Sequence, residues 1–468
     1  MSEATILEQL SAFTAALTYA ALPEQVVASI KTRTMDTLGI CLAALKLDTS
    51  QMALRMAAQW GGPEEAKAVG HSRRLPSSSA AFVNGILAHS LDFDDTHLPS
   101  ILHPSASLVP ATLAVGEQVK ASTRDMIAAA AAGYEICVRT GMAATDRKLG
   151  NSVFLEHGWH ATSICGTLGA AAIAAKLYGL DAAGIGHAIA IAASMSSGVI
   201  EGNRAGGSVK RLHCGWAAHS GIIAAQAAQA GFTGPRTIFE GRFGFYEAFC
   251  RGNFNPSEIT TGLGTRWNIP GIFYKPYPAN HFTHAAVDAA LYLRNVINVD
   301  DIKEIELRVA SPILRTIAEP ASAKARPASG YQAQFSGPFV LATALLGGGG
   351  LGVALEDFTD KRVADIRHLD LAAKVRCVGD PECDAIFPNQ FPAIVRITTN
   401  SGSIMERRVM NNRGGPANPL SNDEIAMKFK TNVKDVLRDD ADAAELIRMI
   451  SNLEESSIDQ VMKLTALD

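Results

Sequence analysis

Residues 160–178 read HATSICGTLGAAAIAAKLY. The segment has helical character, and from Gly169 to Ala175 every residue is small or apolar, so such a helix is apolar on most of its faces. A helix of that kind is normally buried. The reading therefore predicts a helix over 160–178 inside a body of other helices, close-packed because the side chains are small.

The flanking sequence supplies those helices. Pro23 starts a pattern running towards Leu45, in which Val26, Val27, Ile30, Met35, Leu38 and Ile40 approximate one stripe. Pro76 with Ser77-Ser78-Ser79 opens another that reaches His89. Pro104 starts a third, Ser122 caps a fourth, and 208–230 reads as one more. After Gly262 the texture changes. Residues 303–310, 372–378 and 393–399 alternate like half-buried strands, and Asn400-Ser401-Gly402-Ser403 joins the last to 404–410 as a hairpin. A helical pattern over 332–346 sits among them, and from Ser421 the chain turns helical again. The expected fold is mainly α with an α+β part: a large all-helical domain over 1–265, a smaller α+β lid domain over 266–412, and C-terminal helices over 413–468 returning to the helical domain.

Hydrophobic residues make up 47% and charged residues 19% of the 468, enough apolar material for a large core. The net charge of −4 comes without a Lys/Arg stripe, which argues against nucleic acid. No apolar run reaches the roughly 18–20 residues of a membrane span, and Met126 to Val138 is interrupted by Tyr134 and Glu135. Met1-Ser2-Glu3-Ala4 lacks a signal-peptide pattern. Seven scattered cysteines, never spaced C-x-x-C, suit reduced thiols in a cytoplasm and no zinc or iron–sulfur site.

The histidines mark where chemistry could lie. They recur in Ala88-His89-Ser90-Leu91-Asp92-Phe93-Asp94-Asp95-Thr96-His97 with His103-Pro104-Ser105, in Gly158-Trp159-His160-Ala161-Thr162, in Lys210-Arg211-Leu212-His213, and in Lys275-Pro276-Tyr277-Pro278-Ala279-Asn280-His281. His103 and His160 each stand where a helix begins. Helix N-termini favour anions and lower a histidine's pKa, which suits a neutral general base. Lys210, Arg211 and Lys275 offer fixed positive charge for carboxylates.

Plainer readings stand beside these. His103 and His160 can be helix-capping structural residues, and the lysines and Arg211 solvated surface charges. Asp92, Asp94 and Asp95 read first as a solvated loop or a helix cap, and no EF-hand spacing follows to make them a metal site. His213 and His219, near Trp216, read as hydrogen-bonded core histidines. Gly347 to Gly352 fits G-x-G-x-x-G formally but follows a helix, so it reads as a loop.

With these four ordered segments, and with Ala333-Gln334-Phe335-Ser336 before a helix, the chain resembles the MmgE/PrpD family over nearly its whole length. The resemblance implies a homodimer with an active site between domains, free of metal and organic cofactor. By motif position it implies a pocket of Asp92, Thr96, His103, His160, Lys210 and Lys275. His103 would move the proton, with His160 second; Lys210 and Lys275 would bind carboxylates, and Asp92 would orient a histidine or lysine. Arg211, Asn280 and His281 join Thr96 as substrate-binding candidates. Where the decarboxylase branch has a histidine after Pro-Ala and a tyrosine in the later helix, this chain has Asn280 and Phe339.

The expected function is proton abstraction next to a carboxylate of a small di- or tricarboxylate. The first reading is a hydro-lyase like 2-methylcitrate dehydratase. The alternatives are an epimerase or isomerase of a dicarboxylate, like iminodisuccinate epimerase, a cis-aconitate decarboxylase-like enzyme, and a non-catalytic binding protein on the same fold.

Overall fold

The segment 160–178 forms a helix from Ala161 to Leu177 whose first fifteen residues are all buried. In the computed structural model, which describes residues 4–146 and 150–468, it lies at the heart of a helical unit. Met1 to Glu3, where the helical domain was expected to begin, lie outside the described residues. The longer helices of this unit are α1 (Ile6–Ala16), α2 (Glu24–Ala44), α3 (Asp48–Trp60), α4 (Ser77–His89), α5 (Ser105–Val119), α6 (Thr123–Ala143), α7 (Ala161–Leu177), α8 (Ala182–Met195) and α9 (Val209–Gln229). Their starts follow local chemistry. Pro23 and Pro76 occupy the N-cap positions of α2 and α4, and Ser122 caps α6 by accepting from the Asp125 amide. Helix α7 packs against α5, α6, α8 and α9, which is why it has no polar face.

Small residues set how closely these helices cross. A Cβ on Gly85 of α4 would come 2.7 Å from the Gly215 Cα, and one on Gly215 of α9 would come 2.2 Å from the Phe82 carbonyl oxygen. Neither position tolerates a side chain without α4 and α9 moving apart. That contact matters for the site, because His89 follows Gly85 by one turn of α4 and His213 precedes Gly215 on α9.

By internal contacts the chain divides into 1–272 with 433–468, and 273–432. Residues 413–432 go with the second unit, a stretch that the sequence expectation had placed in the C-terminal segment. Within that unit Arg413 donates to the Tyr277 hydroxyl and pairs with Glu424. The second unit holds α10 (His284–Leu293), α11 (Gly337–Leu346), α12 (Ile366–Ala373) and, at its end, α13 (Asn422–Val433). α14 (Asp440–Ser451) belongs to the first unit and packs on α2.

The second unit's sheet has strands β1 (Ile302–Val309), β2 (Val375–Gly379), β3 (Ala393–Thr399) and β4 (Ile404–Val409) in the order β2-β1-β3-β4. β1 pairs parallel with β2 (Ile305 opposite Val375) and antiparallel with β3 (Leu307 opposite Val395); β4 closes the hairpin with Met405 opposite Ile397. Ile305, Leu307, Val395 and Ile397 face a core shared with Val287 of α10 and Phe339 of α11. The fold is thus mainly α with an α+β part. The helix expected over 332–346 is two: Gly330–Gln334, then α11, with Ser336 as the N-cap whose hydroxyl accepts from the Phe339 amide and Pro338 in the first turn. Gly347 ends α11 in the left-handed conformation, and the glycine run continues as a loop.

Candidate active site

Four helix ends of the first unit meet. Helix α4 arrives by its C-terminus, whose last residue is His89. Helices α5, α7 and α9 arrive by their N-termini, with His103 two residues before Ser105, His160 as the N-cap of α7, and Lys210 as the second residue of α9. The rings form a file: His103 to His89 is 5.4 Å between centroids, His89 to His160 is 5.6 Å, and His160 to His213 is 5.1 Å.

The 90–104 loop holds this file in place. Asp92 begins it at φ 51°, a left-handed conformation that aspartate tolerates better than most residues. Its carboxylate lies 3.5 Å from the Lys210 ammonium. Asp94 and Asp95 are buried, not solvated. Asp94 takes the His89 Nδ1–H at 2.7 Å and lies 4.0 Å from His103 Nδ1. Asp95 pairs with Arg33 of α2 at 2.7 Å and accepts from the amide and hydroxyl of Ser105, so it also ties down the start of α5. Arg33 donates onward to the carbonyls of Ile269 and Ile272. The triplet is therefore three different devices: a lysine partner, a histidine anchor and a buried ion pair.

This frame fixes the protonation pattern of His103. Its Nδ1 lies 2.8 Å from the Asp95 carbonyl oxygen, which can only accept. Nδ1 therefore carries the hydrogen, and the neutral ring keeps its lone pair on Nε2. The Thr96 hydroxyl is 3.3 Å from the same Nδ1, and the His103 amide donates to the Thr162 hydroxyl at 3.1 Å.

His160 Nδ1 and His213 Nδ1 are 3.0 Å apart, so one ring donates to the other. Burial first, then the neighbouring His89, Lys210, His213 and His103, hold His160 well below the ordinary imidazole value. Burial, then His89 and Lys210, push His213 down to about 4. Nearby His97, bonded to the Ser100 hydroxyl, is pushed down to about 3 by burial and then by Arg33.

These shifts have a consequence for stability. The three rings are neutral when folded and take protons near pH 6.5 when unfolded, so acid favours the unfolded chain. The unfolding free energy is expected to fall as the pH drops below about 6.5, by about 1.4 kcal/mol per unit from His97 alone. Denaturant unfolding at pH 7.5, 6.5 and 5.5 checks this; stability that is flat or rises towards acid contradicts it.

Six of the expected site residues lie in this unit. Asp92, Thr96, His103, His160 and Lys210 share the cluster, and Arg211 is half-buried beside Lys210 on α9. Lys275, Asn280 and His281 belong to the second unit. Lys275 is buried there. Asn280 caps a 3-10 turn by accepting from the Phe282 amide, and His281 packs against Phe273, His284 and Phe391. The sequence reading missed His89, Asp94 and Arg33, and placed His213 in the core without its partner His160. For Arg33 there was a signal: it stands three residues after Ile30, a charge on the apolar face of α2. Among the described residues, no group of three or more His, Cys, Asp or Glu side chains is arranged to hold a metal ion, and no helix is long and apolar enough to cross a membrane. Among the described residues no two cysteines are bonded.

The MmgE/PrpD N-terminal domain matches residues 8–257, and the MmgE/PrpD C-terminal domain matches residues 277–455. The chain belongs to the MmgE/PrpD family. It is similar to the cis-aconitate decarboxylase of Homo sapiens, at 29% identity over 460 residues covering 93% of this chain and 89% of that protein. The cis-aconitate decarboxylase of Aspergillus terreus is 25% identical over 428 residues, covering 88% and 85%. The cis-aconitate decarboxylase-like protein oryM of Aspergillus oryzae is 25% identical over 466 residues, covering 92% and 94%. The clustered histidines and Lys210 thus sit within the N-terminal domain of this MmgE/PrpD protein.

Proposed function

We propose that this protein is a lyase-type enzyme acting on a small di- or tricarboxylate by moving a proton on carbon next to a carboxylate. The observation that carries the reading is His103 itself, its Nδ1 committed to a carbonyl and its Nε2 left as the basic nitrogen, beside a second neutral imidazole and a lysine. A base of this kind takes a C–H proton near pH 7. The negative charge that then builds on the carboxylate needs a cation or aligned donors, which Lys210 and the start of α7 supply.

In the hydro-lyase reading, His103 Nε2 takes the proton, the C–H pair becomes the new double bond, and the hydroxyl leaves with a proton as water. A decarboxylase reading is favoured by the names of the relatives. There the C–C bond to a carboxylate breaks, CO2 leaves, and the carbon takes a proton. For Lys275, Asn280 and His281 a role in substrate binding rests on the family resemblance, as does a homodimer; a cytoplasmic location rests on the seven scattered cysteines.

Purified protein incubated with 2-methylcitrate, citrate and cis-aconitate tests the reading. Ultraviolet absorbance of a conjugated alkene from a citrate marks dehydration, and CO2 release from cis-aconitate marks decarboxylation. Solvent deuterium entering a dicarboxylate without loss of water or CO2 would instead indicate an epimerase. Silence in all three assays, across a panel of polycarboxylates, removes the enzymatic reading.

A further inference from the structure

His89 is absent from the mechanism above, yet its ring is 1% exposed and packed between those of His103 and His160. Its Nδ1–H is committed to Asp94, while its Nε2 is buried without a hydrogen-bond partner. A buried polar atom left unpaired is costly and rare, and where it persists it calls for an explanation, often a functional one. We propose that His89, clamped by Asp94, is a positioning residue of the site: a buried imidazole that orients His103 and His160.

Three features of the placement support this. His89 is the last residue of α4 and buried, so the helix end sets where its ring lies. The Asp94 carboxylate accepts the Nδ1–H at 2.7 Å and so fixes the plane of the ring. The close crossing of α4 and α9 at Gly85 and Gly215 fixes the ring's height against His213. The groups facing the file are Asp94 and His103 from the loop, His160 at the start of α7, and Lys210, paired with Asp92, and His213 from α9. The Cys214 thiol of α9 and the Cys41 thiol of α2 also approach, both kept protonated chiefly by burial. The Arg33–Asp95 pair lies beneath the loop and is internally compensated. After burial itself, His89 is the strongest influence holding His160 below the ordinary imidazole value, ahead of Lys210.

The inference rests on the proton-transfer reading, but its test needs no substrate. Protein labelled with carbon-13 at the histidine rings is titrated by NMR, as wild type and as His89→Gln. In the variant the His160 resonance is expected to titrate at higher pH, or to enter the folded range if the wild-type ring stays neutral down to acid unfolding. A His160 curve that does not move overturns the proposal. Should His89→Gln not fold, Asp94→Asn, which keeps the ring and weakens its clamp, decides: the His160 curve is expected to move, and a curve that stays in place overturns the proposal. Where turnover is measurable, His89→Gln is expected to lower kcat about tenfold to a hundredfold with KM within about threefold, and to shift the acid limb of the kcat/KM profile upward. A residue that merely filled space would leave that limb in place.

Discussion

His103→Ala is expected to lower kcat by about 10²- to 10⁴-fold on whichever polycarboxylate the protein turns over. The size follows from what the ring does. Its Nδ1 hydrogen is fixed on the Asp95 carbonyl, so Nε2 is the nitrogen that meets the substrate's proton; His89 has its Nδ1 fixed in the same way, on Asp94, but is 1% exposed against 17% for His103. The fold should survive, because the ring is 17% exposed and lies 4.0 Å from Asp94, whose carboxylate keeps the His89 Nδ1–H at 2.7 Å. An unchanged unfolding midpoint with kcat lost is therefore the expected pair of results. Lys210→Ala is expected to differ in kind, with part of the loss appearing as a higher KM, since a carboxylate ligand acts in the ground state as well as in the transition state. If His103→Ala retains kcat within about threefold, the base lies elsewhere and the assignment fails.

The helices of the first unit were legible because their starts are written locally. Pro23, Pro76, Pro104 and Ser122 mark first turns, and the small apolar composition of 161–175 says that one helix is surrounded. The strands at 302–309 and 393–399 were legible from alternation. The break between Gln334 and Gly337 is local too, but the apolar pattern runs across it and conceals the cap at Ser336. The site was half legible. His103 and His160 announce themselves as helix starts, whereas His89 ends a helix, and its value comes from a carboxylate five residues on and two rings brought from distant segments. Asp94 and Asp95 looked like solvated loop residues because their partners, His89, Arg33 and Ser105, are assembled only by folding. Sequence spacing carries helix ends well and ion pairs 62 residues apart poorly.

That pair sets the second large effect. Arg33→Met is expected to destabilise the protein by about 3–5 kcal/mol, the usual result of leaving one partner of a buried ion pair alone. Asp95 would keep the Ser105 amide and hydroxyl but lose the guanidinium, in a place where burial already pushes its carboxyl up against the pull of Arg33. With Arg33 gone, the easiest relief is for Asp95 to take a proton, so its folded pKa rises further above its unfolded value. The sign is then fixed: the penalty is full above the folded pKa of Asp95 and shrinks as the pH falls through it. The difference between variant and wild type, in which the buried histidines cancel, should thus narrow between pH 8 and pH 5. Asp95→Asn in the Arg33→Met background should recover part of the loss at pH 8, because the amide removes the stranded charge while keeping an acceptor for Ser105. Denaturant unfolding of the single and double variants measures both terms. A constant gap across that pH range, or no recovery in the double variant, would mean that Arg33 stabilises through its bonds to the Ile269 and Ile272 carbonyls and not through Asp95. The His103 geometry follows the outcome, since the carbonyl that fixes its Nδ1 belongs to Asp95, and a loosened loop would cost kcat even with every ring in place.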